Sequence, residues 1–406
     1  MCEFVLDCVE GEMNAQVCEV LREIKNIVCI TGLDIGSDNS GSGKGTQEGL
    51  IYGKKYKFSI FEYENQYVPN DLDKSQIIWE YSYSTPNGEI RRLWEKLGEF
   101  FTLNVDEIDM CGQNISLKAY FPENCGVEVK FYCHNRFRHF DRKIIFDQIQ
   151  NRMKKPFLID QGYTSLCGMA CIFYIFAKND KNGYENFAKS IHRKGKATYK
   201  GYTIVVEKEI YNTNPNTTID YPSGIPEIDW IVMVTTRRNE SILGYSGLSG
   251  QDFSAINWPK IMKKLGKDLL GFKSVKMDYY KINKSYIRDT FGSDEKVRIL
   301  EKDIDQDYKN GYEVCMLIDG DMVDKYLTND KIEQYDSKDL LEYHWVVYEG
   351  GLKLLNKNGD IESDYDDVTS VEFNVFTWGE LRKGKTKIKI SKRAYLNNYY
   401  GYLRLK

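Results

Sequence analysis

Gln161-Gly-Tyr-Thr-Ser-Leu-Cys167-Gly-Met-Ala-Cys171-Ile-Phe-Tyr-Ile-Phe-Ala-Lys178 is the stretch whose reading decides the fold. Met169 to Ala177 is an almost unbroken apolar run, far too short to span a bilayer. Helix formers dominate it, so it predicts a buried helix rather than a strand. Thr164 and Ser165 are helix-starting residues, which places Cys167 in or near the first turn. Exposed backbone N–H groups and the positive end of the helix dipole favour an anion there and lower a thiol's pKa. Gly168 permits close approach of another backbone or of a substrate. Gln161, six residues upstream, can turn an amide N–H toward an oxyanion beside the sulfur. Cys171 lies a full turn inside the helix and reads as inert packing.

A nucleophilic cysteine needs a base, and the chain has four histidines: His134, His139, His192 and His344. His344 stands before Trp345-Val-Val-Tyr348, a strand pattern closed by Gly350-Gly351. His192, in Ser190-Ile-His-Arg-Lys-Gly195, reads as a charge at a helix C-terminus. His134 and His139 fall in His134-Asn-Arg-Phe-Arg-His-Phe-Asp-Arg142, which reads as a stacked, salt-bridged joint between domains rather than an anion site.

The Gln-x5-Cys-Gly segment at the head of an apolar helix, with a histidine heading a downstream strand, resembles the papain-like cysteine peptidases. The resemblance implies Cys167 as nucleophile, His344 as general base and Gln161 as oxyanion donor, with no metal or organic cofactor. His344 lies 177 positions after Cys167, beyond the ~130–150 of papain and cathepsins, so inserted elements are expected between them. Thr377-Trp378-Gly379 after Val371–Phe376 is similar to that family's Asn-Ser-Trp-Gly segment, and Asn398–Leu405 to its closing strand. Phe376 stands where the orienting Asn belongs. Asn374, Thr377 and Asp360 are the alternatives, and a Cys–His dyad is another.

At 406 residues the chain has length for two or three domains. A net charge of −4, with no gathered Lys and Arg stripe, argues against nucleic acid. Thirty Tyr and 19 Phe beside eight Pro point to a sheet-rich protein. No apolar run is long enough for a membrane span. The start, Met1-Cys-Glu-Phe-Val-Leu-Asp-Cys8, carries acidic residues where a signal peptide carries basic ones. Ten cysteines without a close CxxC pairing predict neither a zinc site nor a dense disulfide framework. Synthesis in a reducing cytoplasm is expected, with any export by a route that reads no cleavable signal.

Residues 1–45 read as an N-terminal segment and linker, with a short amphipathic helix (Val17, Val20, Leu21, Ile24) and the flexible Gly36–Thr46. Gly43-Lys44 fails as a phosphate loop because Gly45 follows it and Asp38 stands five before Gly43. Residues 46–142 read as a β-sandwich docking module of immunoglobulin-like shape, with alternating strands around 56–63, 77–83, 114–120 and 127–133. Cys111 and Cys125 are candidates to pair within it. Residues 143–406 read as the catalytic domain. It holds helices at 143–153, 184–193, 228–234, 257–270 and 302–310, a loop-rich connection at 200–225, and strands near 272–275, 312–318, 345–348, 371–378, 386–390 and 399–405.

The run from the sandwich strands through Asn135-Arg-Phe-Arg138 into Thr164-Ser-Leu-Cys-Gly-Met-Ala170 resembles modular toxins associated with type VI secretion in Bacteroides-like bacteria. That resemblance implies an antibacterial effector acting in a rival cell on a protein or peptide substrate. It also implies a cognate immunity protein and a partner in the secretion apparatus. The expected fold class is α+β: an immunoglobulin-like sandwich, then a papain-like domain in which the Cys helix packs on a mostly antiparallel sheet. The chemistry would be acyl transfer, as protease, deamidase or transglutaminase. The rival is a non-enzymatic binding or structural component of a secretion system with a degenerate papain-like fold.

Overall fold

The computed structural model describes residues 22–406 except 86, 95–96, 124–125, 242–243, 252–255, 280–292, 324–342 and 378–385. Val17, Val20, Leu21, Cys125, Trp378 and Gly379 lie outside the described residues. The protein is a mixed α+β chain with several antiparallel sheets. It forms two compact units, each assembled from two segments: Met1–Leu33 with Lys54–Cys133, and Asp34–Gly53 with His134–Lys406.

In chain order, β1 (Ile24–Cys29) belongs to the first unit, while β2 (Asp34–Ser37) and β3 (Thr46–Ile51) form a hairpin of the second. The first unit resumes with β4 (Lys55–Tyr63), α1 (Asp71–Ser75), β5 (Ile78–Thr85), β6 (Gly88–Trp94), β7 (Phe100–Asn104), β8 (Asn114–Tyr120) and β9 (Val127–His134). β4 pairs antiparallel with β1 and β7, and β5 with β6 and β8; β9 continues from β8. Alternation along β8 buries Ile115, Leu117 and Ala119, the period-two pattern of a half-buried strand. Aromatic rings join the two sheets: Trp79 of β5 stacks on Phe101 of β7 with centroids 5.5 Å apart, and Phe58 lies 5.3 Å from Phe131. Such pairs add roughly 0.5–1.5 kcal/mol beyond their burial.

The glycine-rich stretch expected as a linker is instead the loop of the β2–β3 hairpin. Asp141 explains why it is ordered. Its Oδ1 accepts from Lys143 N and Ile144 N, capping the helix that follows, and its Oδ2 accepts from Gly41 N (2.8 Å) and Gly43 N (3.3 Å). Gly41 and Gly43 adopt φ of +90° and +70°, a region in which side chains are strained. The loop's N–H groups therefore bind a carboxylate of the same chain.

The second unit continues with α2 (Arg142–Lys154), α3 (Cys167–Asn179), α4 (Lys181–Lys194), the β10–β11 hairpin (Lys196–Tyr199, Tyr202–Val205), α5 (Lys208–Tyr211), α6 (Glu227–Asn239) and α7 (Pro259–Asp268). The supposed 200–225 loop thus holds a strand and a helical turn. β12 (Val275–Tyr279) and α8 (Ser293–Ile299) follow; a π-helical turn (Leu300–Asp305) leads to α9 (Gln306–Lys309). The chain ends with β13 (Glu313–Asp319), β14 (Tyr343–Tyr348), β15 (Lys353–Leu355), β16 (Ser370–Phe376), β17 (Thr386–Ser391), α10 (Lys392–Asn398) and β18 (Tyr399–Leu405). These strands form one antiparallel sheet, β12-β18-β13-β14-β16, with β15 and β17 both on β16.

Every residue of α3 from Cys167 to Ala177 is buried, so the helix has no solvent face and needs no amphipathic pattern. On one side of the sheet Cys315, Leu317, Trp345, Val347 and Phe376 share a core with α3. On the other, Val314, Met316, Val346 and Tyr348 pack with residues of α8 and α10. A sheet covered on both faces gives continuous apolar strands, and β13 is buried at all seven positions.

His192 lies in the last turn of a helix, as expected, but not as a charge. It is fully buried at the end of α4, against the rings of Phe137 and Phe146, and burial, with Arg142 and Arg193 nearby, pushes its pKa down to about 3. His134 is likewise buried and held near 4. An unfolded histidine takes its proton near 6.5. Below that pH the unfolded state binds more protons than the folded one, so stability falls as pH falls. The cost at pH 5 is about 2 kcal/mol per buried histidine. Urea unfolding at pH 7.5 and pH 5 should show His192→Leu narrowing the gap between the two conditions by about that amount. An unchanged gap would mean that the native state protonates His192 freely.

Candidate functional site

Asp160 leads the chain into the site. Its backbone N donates to Asp229 Oδ2 at 3.0 Å, and its own carboxylate accepts from Gly162 N at 2.8 Å. Asp229, on α6, is also gripped by Arg152 of α2 through Nε (2.8 Å) and Nη2 (2.6 Å). Both charged side chains are buried, Asp229 completely. A buried bidentate pair of this kind fixes geometry more than it adds stability, and here it anchors the turn that carries Gln161.

Gln161 is 6% exposed. Its backbone carbonyl accepts from Thr164 N and Thr164 Oγ1, and its side-chain Nε2 donates to Thr164 O. Thr164 was expected to start the helix, yet it closes this turn instead. Leu166 occupies the N-cap position of α3 and makes no side-chain cap. The N-cap residue therefore offers the first N–H groups no side-chain acceptor, a position that attracts an electron-rich partner.

That partner is the Cys167 sulfur. The N–H groups of Cys167, Gly168 and Trp345 pull its pKa down, but burial outweighs them and raises the thiol to about 11. The helix start thus exerts the expected effect without winning: the resting group is a thiol. Gly168 is required by packing. A Cβ there would meet Asn257 Cβ at 2.6 Å and Met262 Sδ at 2.7 Å. Asn257, before α7, in turn accepts Trp345 Nε1–H on its carbonyl at 2.8 Å.

His344 opens the buried part of β14, opposite Ile318 of β13, with Trp345 opposite Leu317. The Trp345 N–H acts on the thiol, and Trp345 shares the core with α3; His344, the residue before it, alternates to the other face of the sheet opposite Ile318. His344 is 5% exposed, and burial pushes its pKa well below 6.5. Its Nε2 lies 2.8 Å from Thr377 Oγ1, which is itself buried just past β16. Among the alternatives for an orienting partner, Asn374 donates its amide to Gly350 O, and Asp360 is exposed in a turn with Asn356. Phe376 stacks on Tyr174 of α3, with ring centroids 4.0 Å apart and planes 4° from parallel.

Cys171 is buried in the core between α3 and the sheet, where burial and the neighbouring Cys315 thiol raise its pKa further. The far end of α3 holds a separate network in which Tyr174 and Lys178 bind Glu349, and Lys178 also binds Glu313. Sequence reading missed this network, and it missed Arg152–Asp229. Their partners are separated by long stretches of chain, and no spacing rule connects them.

Comparison with known protein families and with curated proteins returns no match. No helix among the described residues is long and apolar enough to cross a membrane.

Proposed function

We propose that the second unit is a papain-like cysteine acyl-transfer enzyme, with Cys167 as nucleophile, His344 as base and Gln161 beside the oxyanion. The observation that carries this reading is Cys167 at the start of a buried helix, in one core with Trp345, the residue after His344. A helix packed on an antiparallel sheet supports the papain-like comparison. Sheets joined through Trp79 and Phe101 support an immunoglobulin-like docking role for the first unit. The antibacterial role, with a cognate immunity protein and type VI delivery, is proposed on the sequence resemblance.

Both groups rest neutral, so the thiol loses its proton during attack rather than beforehand. Sγ bonds to the substrate carbonyl carbon while its proton moves to the imidazole, and negative charge collects on the carbonyl oxygen. The N–H groups at the start of α3 are the donors on hand for that charge; the Gln161 amide, which donates to Thr164 O, would have to turn to join them. The imidazolium then returns the proton to the departing amine, leaving a thioester. Water or an acceptor amine attacks the thioester with the imidazole again as base, so hydrolysis, deamidation and transfer differ only in substrate and acceptor.

Native-state labelling tests the site. Iodoacetamide should alkylate Cys167 at a rate that climbs with pH beyond 9, since the thiol titrates near 11. A peptidyl vinyl sulfone, which recruits the imidazole's proton, should label Cys167 near neutral pH and lose that labelling in His344→Ala. Cys171 and Cys315, 1% and 0% exposed, should react only on unfolding. Cys167 reacting no faster than those two would instead favour the non-enzymatic reading, which Phe376 in the orienting position supports.

A further inference from the structure

We propose that the glycine-rich β2–β3 loop is a pH-sensitive clasp: Glu227, at the start of α6, must be uncharged for the loop to close over it. Gly43 is the point of closure. Its N–H donates to Asp141 Oδ2 at 3.3 Å, and its carbonyl accepts from Asn216 Nδ2 at 2.6 Å. A Cβ built on it would lie 3.0 Å from Ile144 Cδ1 and 3.9 Å from Glu227 Oε1. One loop residue thus covers two carboxyl groups, the N-cap of α2 and the first residue of α6.

The two carboxyl groups are not equivalent. Asp141 accepts from four N–H groups, those of Gly41, Gly43, Lys143 and Ile144. Glu227 Oε2 is buried and has no hydrogen-bond partner among the described residues, and the same is true of the nearby Tyr221 hydroxyl. A buried carboxylate without donors, beside a second carboxylate, is relieved by taking a proton. Around it, Lys143 lies along Gly41, Asp38 accepts from Ser40 N within the loop, and Arg152 and Asp229 are taken up with one another. Burial and the Asp141 charge push the Glu227 carboxyl up to about 7. With the loop open, Glu227 meets water and titrates at about 4.3. Between those values the closed loop binds a proton that the open one lacks, so closure weakens as pH rises through that window and levels off above it. The buried His134 and His192 act with the opposite sign, since they destabilise the whole fold as pH falls. Local opening and global unfolding therefore respond to pH in opposite directions.

Hydrogen exchange of the Gly41 and Gly43 amides in the full chain, corrected for the intrinsic pH dependence of exchange, tests the clasp. Wild-type protection should fall roughly 40-fold between pH 5 and pH 7 and only about twofold more by pH 8. Glu227→Gln, neutral throughout, should show level protection across the same range. Core amides of α3, which exchange through global unfolding, should not share the wild-type fall. A wild-type profile without that fall overturns the proposal, as does the same fall in Glu227→Gln, or loop amides that exchange in step with those of α3. Titration of the Glu227 carboxyl by ¹³C NMR needs no variant to fold. A midpoint near 7 is expected, and one in the ordinary carboxylate range overturns the clasp as well.

Discussion

Cys167→Ala should abolish the toxicity expected when the chain is expressed in a susceptible bacterium, and leave the protein folded. Harm done by an acyl-transfer enzyme passes through the thioester, and alanine cannot form one. Removing the nucleophile should lower turnover roughly 10³-fold or more. The substitution deletes one sulfur from an apolar surrounding, at a stability cost of about 1 kcal/mol. His344→Ala should be nearly as damaging, and the double variant little worse than either single one, because nucleophile and base act as one unit. Cys171→Ala, equally conservative and one helical turn away, should keep activity. Growth of the host on induction, with circular dichroism on the purified variants, reads all four. Toxicity that survives Cys167→Ala would move the harm to binding, or to the first unit.

The largest loss of stability should come from Asp229→Ala. Its carboxylate takes both forks of Arg152 and the Asp160 N–H while fully buried. Removing it strands a guanidinium that is 5% exposed, and breaking a buried pair from one side costs about 3–5 kcal/mol. Paired replacement, Arg152→Met with Asp229→Leu, removes both charges and should be much less destabilised than Asp229→Ala. Urea unfolding of the single and double variants gives the coupling. An Asp229→Ala cost below about 1 kcal/mol would mean that water reaches Arg152. Because Asp229 also holds the turn before Gln161, vinyl sulfone labelling of Cys167 should weaken in the double variant even where stability recovers.

The helix Cys167–Asn179 and the strands Glu313–Asp319, Tyr343–Tyr348, Ser370–Phe376 and Tyr399–Leu405 were legible because runs of apolar residues bounded by Gly, Asn or charge carry their own signal. The β2–β3 hairpin was not. Asp34-Ile-Gly-Ser37 has too few side chains to show a period, and its loop is held by a carboxylate 98 to 100 positions away. The state of the titratable groups was legible only in part. A helix start near Cys167 could be read, but the burial that raises the thiol could not, nor could the sealing of His192 among Phe137 and Phe146. Thr377 stood among the possible partners of His344. Choosing it required knowing that Phe376 turns inward.

The way the chain is divided between the units limits how this protein can be rearranged. Passing from Leu33 to Asp34, from Gly53 to Lys54 and from Cys133 to His134, the backbone changes unit three times. No single cut frees an intact half. A truncation starting at Lys143 discards the β2–β3 hairpin along with Asp141, and so strips α2 of its cap. Exchange of one unit by recombination at a single crossover would leave both incomplete, so inheritance must transmit the two together. Synthesis is constrained as well. The Asp34–Gly53 segment leaves the ribosome early, whereas Asp141, which holds its loop, is made 100 residues after Gly41.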